Sequence, residues 1–268
     1  MWWKMLLTFW ALMRQPGVPV GDTVDSDPSE FVPVPHGPQT VAEEDITRAA
    51  IYGEHYGGDM IFPDDWNTSD AGIKDERYRW PQYQGFVRVP YVIDQNSRHL
   101  QRVVLEGMEI YHKQTPIKFV PRRNERDYVR IFSGNGCWSM IGRNGGRQDL
   151  SLGQGCAYVG LVVHELGHAI GLFHEHQRSD RDKYINVYLQ NVIPNQRHNF
   201  GLTNRNNELI YTNYDYDSIM HYGSYAFSRN PRGLRTMEAK NGHPLVEPWQ
   251  KKGFTQSDIV TIKKLYKY

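Results

Sequence analysis

The sequence predicts an α+β fold: a twisted sheet with long helices in one half, then a loop-rich half closed by a final helix. Three observations carry this. Apolar, β-branched runs of strand length occur at 86–93, 117–120 and 128–132. Helical periodicity marks 96–114 and 160–173. The chain after Gly171 is dominated by loop-type sequence until a helix start at Thr255. In order, Phe86 to Ile93 reads as a strand. The helix from Asn96 to Gln114 places Leu100, Val103, Val104, Gly107, Ile110 and Tyr111 on one face. Two short strands follow, and then the helix from Gly160 to Phe173. Thr255-Gln-Ser-Asp258 is a capping-type opening for the last helix.

At 268 residues the chain is long enough for one domain with a full core and an extension. Apolar residues at 39% and aromatics at 13% place it among globular chains. A net charge of +1 hides an asymmetry. Residues 1–70 carry 3 Lys+Arg against 12 Asp+Glu, a balance of −9, whereas residues 71–268 carry 28 against 18, a balance of +10. Opposite fields favour docking of the first segment on the second. A solvated acidic tail is the plainer alternative. The basic balance comes with no dense Lys/Arg run or recognition motif, so no nucleic-acid partner is expected.

One early Lys4 precedes a largely apolar run, Met5 to Met13, too short for the ~20 residues of a bilayer span and suited to a signal peptide. The expected organisation is a signal peptide over 1–20, an acidic segment over 21–70 and a catalytic domain over 71–268. The protein is then secreted and extracellular, with no membrane span, and a monomer. Residues 14–40, rich in Pro, Gly and acidic groups, read as an extended linker, and Thr40 to His55 as a short amphipathic helix. Cys137 and Cys156 fit an oxidising compartment and are expected to pair. Closing their 18-residue Gly-rich loop would contribute roughly 3 kcal/mol.

The chemistry is concentrated in His164-Glu-Leu-Gly-His168-Ala-Ile-Gly171-Leu-Phe-His174. Positions four apart share a helical face, so His164 and His168 can reach one metal ion, and Glu165 lies where it can take a proton from water at that metal. Gly171 permits the left-handed turn that brings His174 back as a third ligand. Three histidines leave a position open, the mark of a catalytic zinc site with one Zn2+ per chain. Two surface histidines on a helix are the bland reading of HExxH alone; Gly171 and His174 extend it to the longer metzincin pattern. Ser218-Ile-Met220-His221-Tyr222 suits the methionine turn beneath such a site, although Met220 by itself reads as core filler.

The run His174-Glu175-His-Gln-Arg178-Ser-Asp180-Arg181-Asp182, followed by Ser-Ile-Met-His-Tyr, resembles the astacin family of zinc endopeptidases. Tyr78-Arg-Trp80-Pro, Val89-Pro-Tyr91, Ile117-Lys-Phe-Val-Pro121-Arg and Gly136-Cys-Trp138-Ser agree with it from about Ala71 onward. The resemblance implies two subdomains with zinc on the floor of the cleft between them. Cys137 and Cys156 match one of the family's two usual disulfides. Pro116 and Tyr268 stand where the other pair would be, which predicts weaker anchoring of the C-terminal helix. Tyr56-Gly-Gly-Asp59 resembles the FxGD element of astacin propeptides, with Tyr for Phe. By that resemblance Asp59 ligates zinc in the zymogen, making the propeptide an intramolecular inhibitor; an ordinary turn is the alternative. The mature chain would start at Ala71, its freed amine paired with Glu175. Asp70 stands where many members have Arg, which points away from a trypsin-like activating protease and toward an astacin or self-processing.

The expected activity is hydrolysis of peptide bonds in proteins. Glu165 is general base and then acid, and Tyr222 is the oxyanion donor and, by resemblance, a fifth zinc ligand at rest. A packed aromatic is the alternative for Tyr222. Rival functions are a non-catalytic binding protein, against which Glu165 speaks, a glycan-binding module using the basic balance, and an amidase or esterase. Thr236-Met-Glu238-Ala239-Lys240 aligns with the family's substrate-pocket segment but lacks its Ile-x-Pro. Lys240 and Arg235 could favour acidic residues there, with surface solvation as the plainer role.

Overall fold

The computed structural model describes residues 58–63, 74–205 and 208–268. The segments read as signal peptide and linker, the helical pattern at 40–55, and the junction at Asp70 and Ala71 lie outside the described residues.

The sheet holds seven described strands: β1 (Met60–Ile61), β2 (Gln82–Tyr83), β3 (Phe86–Ile93), β4 (Ile117–Pro121), β5 (Tyr128–Phe132), β6 (Cys137–Met140) and β7 (Arg147–Leu152). β3 pairs in parallel with β4 and β5, and β5 in parallel with β7. β6 turns back antiparallel on β7, and β1 adds to β6 in parallel. Long connections are needed between parallel strands, and a helix supplies one of them. The helix α1 (Gln101–Gln114) links β3 to β4 and buries Val104, Gly107, Met108 and Tyr111. Its expected start at Asn96 is instead a 3₁₀ segment, Gln95–Leu100.

The α2 helix (Val159–Ala169) lies almost wholly buried against α1 and the sheet. Close packing is set by Gly107, where a Cβ would come within 2.5 Å of Val162 Cγ1. Tyr111 Oη donates to Val163 O at 2.6 Å, so the buried hydroxyl is paired. Cys137 and Cys156 form the expected disulfide. After α2 the chain is mostly turns, with a two-stranded sheet of β8 (Ile185–Val187) and β9 (Met237–Ala239), and the closing helix α3 (Gln256–Leu265). Its capping box is formed: Thr255 Oγ1 accepts from Asp258 N–H, and the Asp258 carboxylate accepts from Thr255 N–H.

Without the family's second disulfide, this helix is held by non-covalent contacts. Leu265 and Tyr266 are buried, and Tyr266 Oη donates to Ile170 O at 2.9 Å. Gln82 Nε2 holds Tyr266 O, and Lys267 pairs with Glu76. A non-covalent anchor stands where the family's second disulfide would be. Among the described residues no helix is long and apolar enough to cross a membrane. Replacing Tyr266 with Phe leaves the Ile170 carbonyl without its partner and is expected to cost about 1–2 kcal/mol. A fall of about 2–6 °C in the thermal midpoint is the readout, and an unchanged midpoint would show the hydroxyl anchors nothing.

Candidate metal centre

The α2 helix places His164, Glu165 and His168 on its C-terminal half, all fully buried. It stops in a paired turn. Gly171 adopts φ +100°, Leu172 N–H bonds Gly167 O and Gly171 N–H bonds His168 O. The last carbonyls are also satisfied: Trp80 Nε1 donates to Ala169 O at 2.8 Å, and Tyr266 to Ile170 O. The reversal returns the chain so that His174 stacks near both partners, with ring centroids 4.7 Å from His168 and 5.3 Å from His164.

Each imidazole is oriented by its Nδ1. His164 Nδ1 meets Ile219 O at 2.7 Å, His168 Nδ1 meets Leu172 O at 2.8 Å, and His174 Nδ1 meets Gln177 Oε1 at 3.1 Å. Those oxygens only accept, so the proton of each neutral ring sits on Nδ1 and its Nε2 presents a lone pair. Burial disfavours a second proton on two of these rings, pulling His168 down to about 4 and lowering His174. The Nε2 atoms of His164 and His168 face each other at 3.1 Å.

The Asp59 carboxylate completes the group, 3.0 Å from His164, 3.3 Å from His168 and 2.9 Å from His174. These four ligand atoms lie within 4.8 Å of one another, all buried. Three lone pairs and a carboxylate converging in a buried space repel unless a cation is shared, and this nitrogen-and-oxygen set suits zinc. Burial raises the Asp59 carboxyl, but its contacts with His174, His164 and His168 outweigh this and leave it well below the usual range. Burial, reinforced by the Asp59 charge, pushes Glu165 well above it. Both Glu165 oxygens are buried without a hydrogen-bond partner, as expected of a base awaiting a water or substrate.

The floor is the turn Ser218 to His221. Ile219 O fixes His164, and Met220 packs so closely under the helix that a Cβ on Gly167 would lie 2.8 Å from its Sδ. Asp258 of α3 holds this turn through Ser218 Oγ at 2.6 Å and Ile219 N at 3.0 Å. Sequence reasoning had Asp258 only as a helix cap, because nothing local says its second oxygen reaches residues 40 positions away. Tyr222 follows, its Oη donating to Asp59 Oδ1 at 2.7 Å and its ring stacked on His176 and tilted against His174.

The segment carrying Asp59 is held by its backbone. Ser139 N–H donates to Asp59 O and Ile141 N–H to Ile61 O, along β6. Gly58, at φ +80°, leaves no room for a side chain, since a Cβ would lie 2.8 Å from Tyr222 Oη. Glu175 binds Arg178 Nη1 at 2.7 Å and Asp215 N at 2.9 Å, facing a cavity of about 90 Å³, and burial pushes it up to about 7. Its expected partner Ala71 lies outside the described residues. Arg235 pairs with Glu238, and Lys240 binds Asp182 O, so neither cation of that segment is uncommitted.

The family model for Astacin, a peptidase family, matches residues 72–267. Astacin-like metalloprotease toxin 1 of Loxosceles intermedia is 40% identical over 214 residues, 78% of this chain and 80% of its own length. High choriolytic enzyme 2 of Oryzias latipes is 39% identical over 211 residues, 78% and 74% of the two chains. The solved structure of high choriolytic enzyme 1, a hatching enzyme zinc-protease of the same fish, matches with a TM-score of 0.67 at 38% identity, covering 73% of this chain and 98% of that one. Myroilysin, at 19% identity and TM-score 0.50 over 74% and 98%, shares the fold.

The full chain is expected to carry one zinc by atomic absorption, and His168→Ala to retain less than about a tenth of it. A full equivalent in that variant would place the metal elsewhere. Gly167→Ala should overpack Met220 and lower stability by about 1–3 kcal/mol, read from denaturant unfolding; unchanged stability would show that the Met220 side chain gives way freely.

Proposed function

The chain belongs to the astacin family of zinc endopeptidases, and from that premise we propose that it is secreted and made latent, with Asp59 closing the site. The observation that carries this reading is the Asp59 carboxylate, which meets three imidazole Nε2 atoms and the Tyr222 hydroxyl at once. The proposed organisation is a signal peptide over 1–20, an inhibitory propeptide over 21–70 and a catalytic domain over 71–268. Secretion is supported by the Lys4-led apolar run and by the disulfide.

In this reading His164, His168 and His174 hold the zinc, which supplies Lewis acidity and an acidified water. Glu165, buried and unpartnered, takes the proton of the attacking water and passes it to the leaving amine. Tyr222 donates to the oxyanion of the tetrahedral intermediate. Its hydroxyl cannot serve Asp59 and an oxyanion together, so one carboxylate blocks both the metal and the donor. By the family resemblance, Tyr222 freed from Asp59 would also help hold the zinc at rest. Residues 59–61 also occupy the β6 edge, where an extended substrate would pair. Removal of residues 1–70 by an activating protease frees the amine of Ala71 to pair with Glu175, adding a second cation beside a buried carboxylate that Arg178 already holds. Substrates are proteins or peptides, and the enzyme acts as a monomer.

Asp59→Ala in the full chain should give casein cleavage that a zinc chelator stops, while the parent chain stays inactive. A variant that keeps its zinc and remains latent would remove Asp59 from the inhibitory role. Tyr222→Phe in that activated background should cut turnover by about 100-fold or more with zinc retained. Equal losses of zinc and turnover would count against the donor role.

A further inference from the structure

Tyr222 is held by a segment to which neither its reaction role nor its sequence motif points. Glu247-Pro-Trp-Gln250-Lys251 forms a short 3₁₀ turn, Pro248–Gln250, in which Glu247 and Gln250 make a capping box. The Glu247 carboxylate accepts from Gly223 N–H at 3.0 Å. Lys251 Nζ donates to Ser218 O and His221 O, each at 2.6 Å. The two peptide groups flanking Tyr222 are thus both gripped, one through the carbonyl before it and one through the N–H after it. Gly223 is required for this: a Cβ there would lie 2.5 Å from Glu247 Cδ.

The same turn is seated on the zinc helix. A Cβ on Gly160 would come within 2.1 Å of Pro248 O and 2.5 Å of Lys251 O. One brace therefore fixes the helix that carries His164, Glu165 and His168 relative to the backbone that carries Tyr222. Charge-assisted bonds of this kind are the strong ones. The Lys251 amine is enclosed, and burial pulls it down to about 8 against the opposing pull of Asp258 and Glu247, so it stays protonated at neutral pH.

We propose that Glu247 and Lys251 are positioning residues for Tyr222, pinning the peptide groups on both sides of it so that its hydroxyl moves by side-chain rotation alone. The inference rests on the reading of Tyr222 as the oxyanion donor. It assigns catalytic consequence to two residues that touch neither metal nor substrate.

The test uses the full chain activated by Asp59→Ala, with Glu247→Ala or Lys251→Met added. Hydrogen–deuterium exchange at 218–223 should rise about 10-fold or more, with 159–169 unchanged. Casein turnover should fall by about 10-fold or more, with zinc content and KM within about 2-fold, since a small misplacement of a catalytic group is costly. Glu247→Gln, which keeps an accepting oxygen, should restore both. In the Tyr222→Phe background the added loss should shrink below about 2-fold, because the two changes act through one group. Lys251→Met leaves the Gly223 amide paired, so it reports separately should Glu247→Ala fail to fold. Unchanged exchange at 218–223, or an equal turnover loss in the Tyr222→Phe background, overturns the inference. Turnover that survives Tyr222→Phe alone would instead remove the donor reading, and the inference with it.

Discussion

Three buried imidazole nitrogens face one point because their other nitrogens are tied down. Ile219 O, Leu172 O and Gln177 Oε1 each take an Nδ1–H, and burial disfavours a second proton on His168 and His174. The Nε2 lone pairs are then forced into mutual repulsion that only a cation relieves. The anchors come from three places: the floor turn, the loop after α2 and the 3₁₀ segment after His174. Each must be built correctly for the metal set to converge. The fold is thus organised around the second hydrogen bond of each ligand as much as around the ligands themselves.

The end of α2 shows how that convergence is secured. Gly171 reverses the chain, and the carbonyls left over at the helix end are taken by Gly142 N–H, Trp80 and Tyr266. Two of these donors come from opposite ends of the catalytic domain, so closing the helix end also fastens both termini of the fold near the site. The C-terminal tail is tied by a buried tyrosine rather than by a cystine. The floor turn is held in the same manner, by Asp258 on one side and Lys251 on the other. Long-range polar contacts fix the site, while the sheet and the α1–α2 packing supply the platform.

What was legible in the sequence follows from this division. The α1 face, the zinc helix, Gly171 and the capping box at Thr255 are local signals, and each is found where its period or cap predicts. The zinc helix stops at Ala169 rather than Phe173, because the glycine turn ends it one residue after the Ile170 cap. Strands β6 and β7 are not legible, since Cys137–Met140 is only four residues long, Arg147–Leu152 opens on Arg-Gln-Asp, both lie in a Gly-rich stretch, and their pairing is set by the sheet. Asp258, Glu247, Lys251 and Tyr266 were invisible as site supports. Their partners lie about 24 to 96 positions away, and a carboxylate or amine in isolation looks like surface. The tail shows the same asymmetry: a lost covalent link is visible in sequence, and the Tyr266 hydrogen bond to Ile170 is not.

The central claim is that one carboxylate from the segment before the catalytic domain joins three histidines at the metal. Zinc K-edge absorption of the full chain, compared with Asp59→Ala, tests it most directly. The account predicts three imidazole nitrogens in both, and an additional carboxylate oxygen in the parent that is lost or replaced in the variant. An identical zinc environment in the two proteins would contradict it.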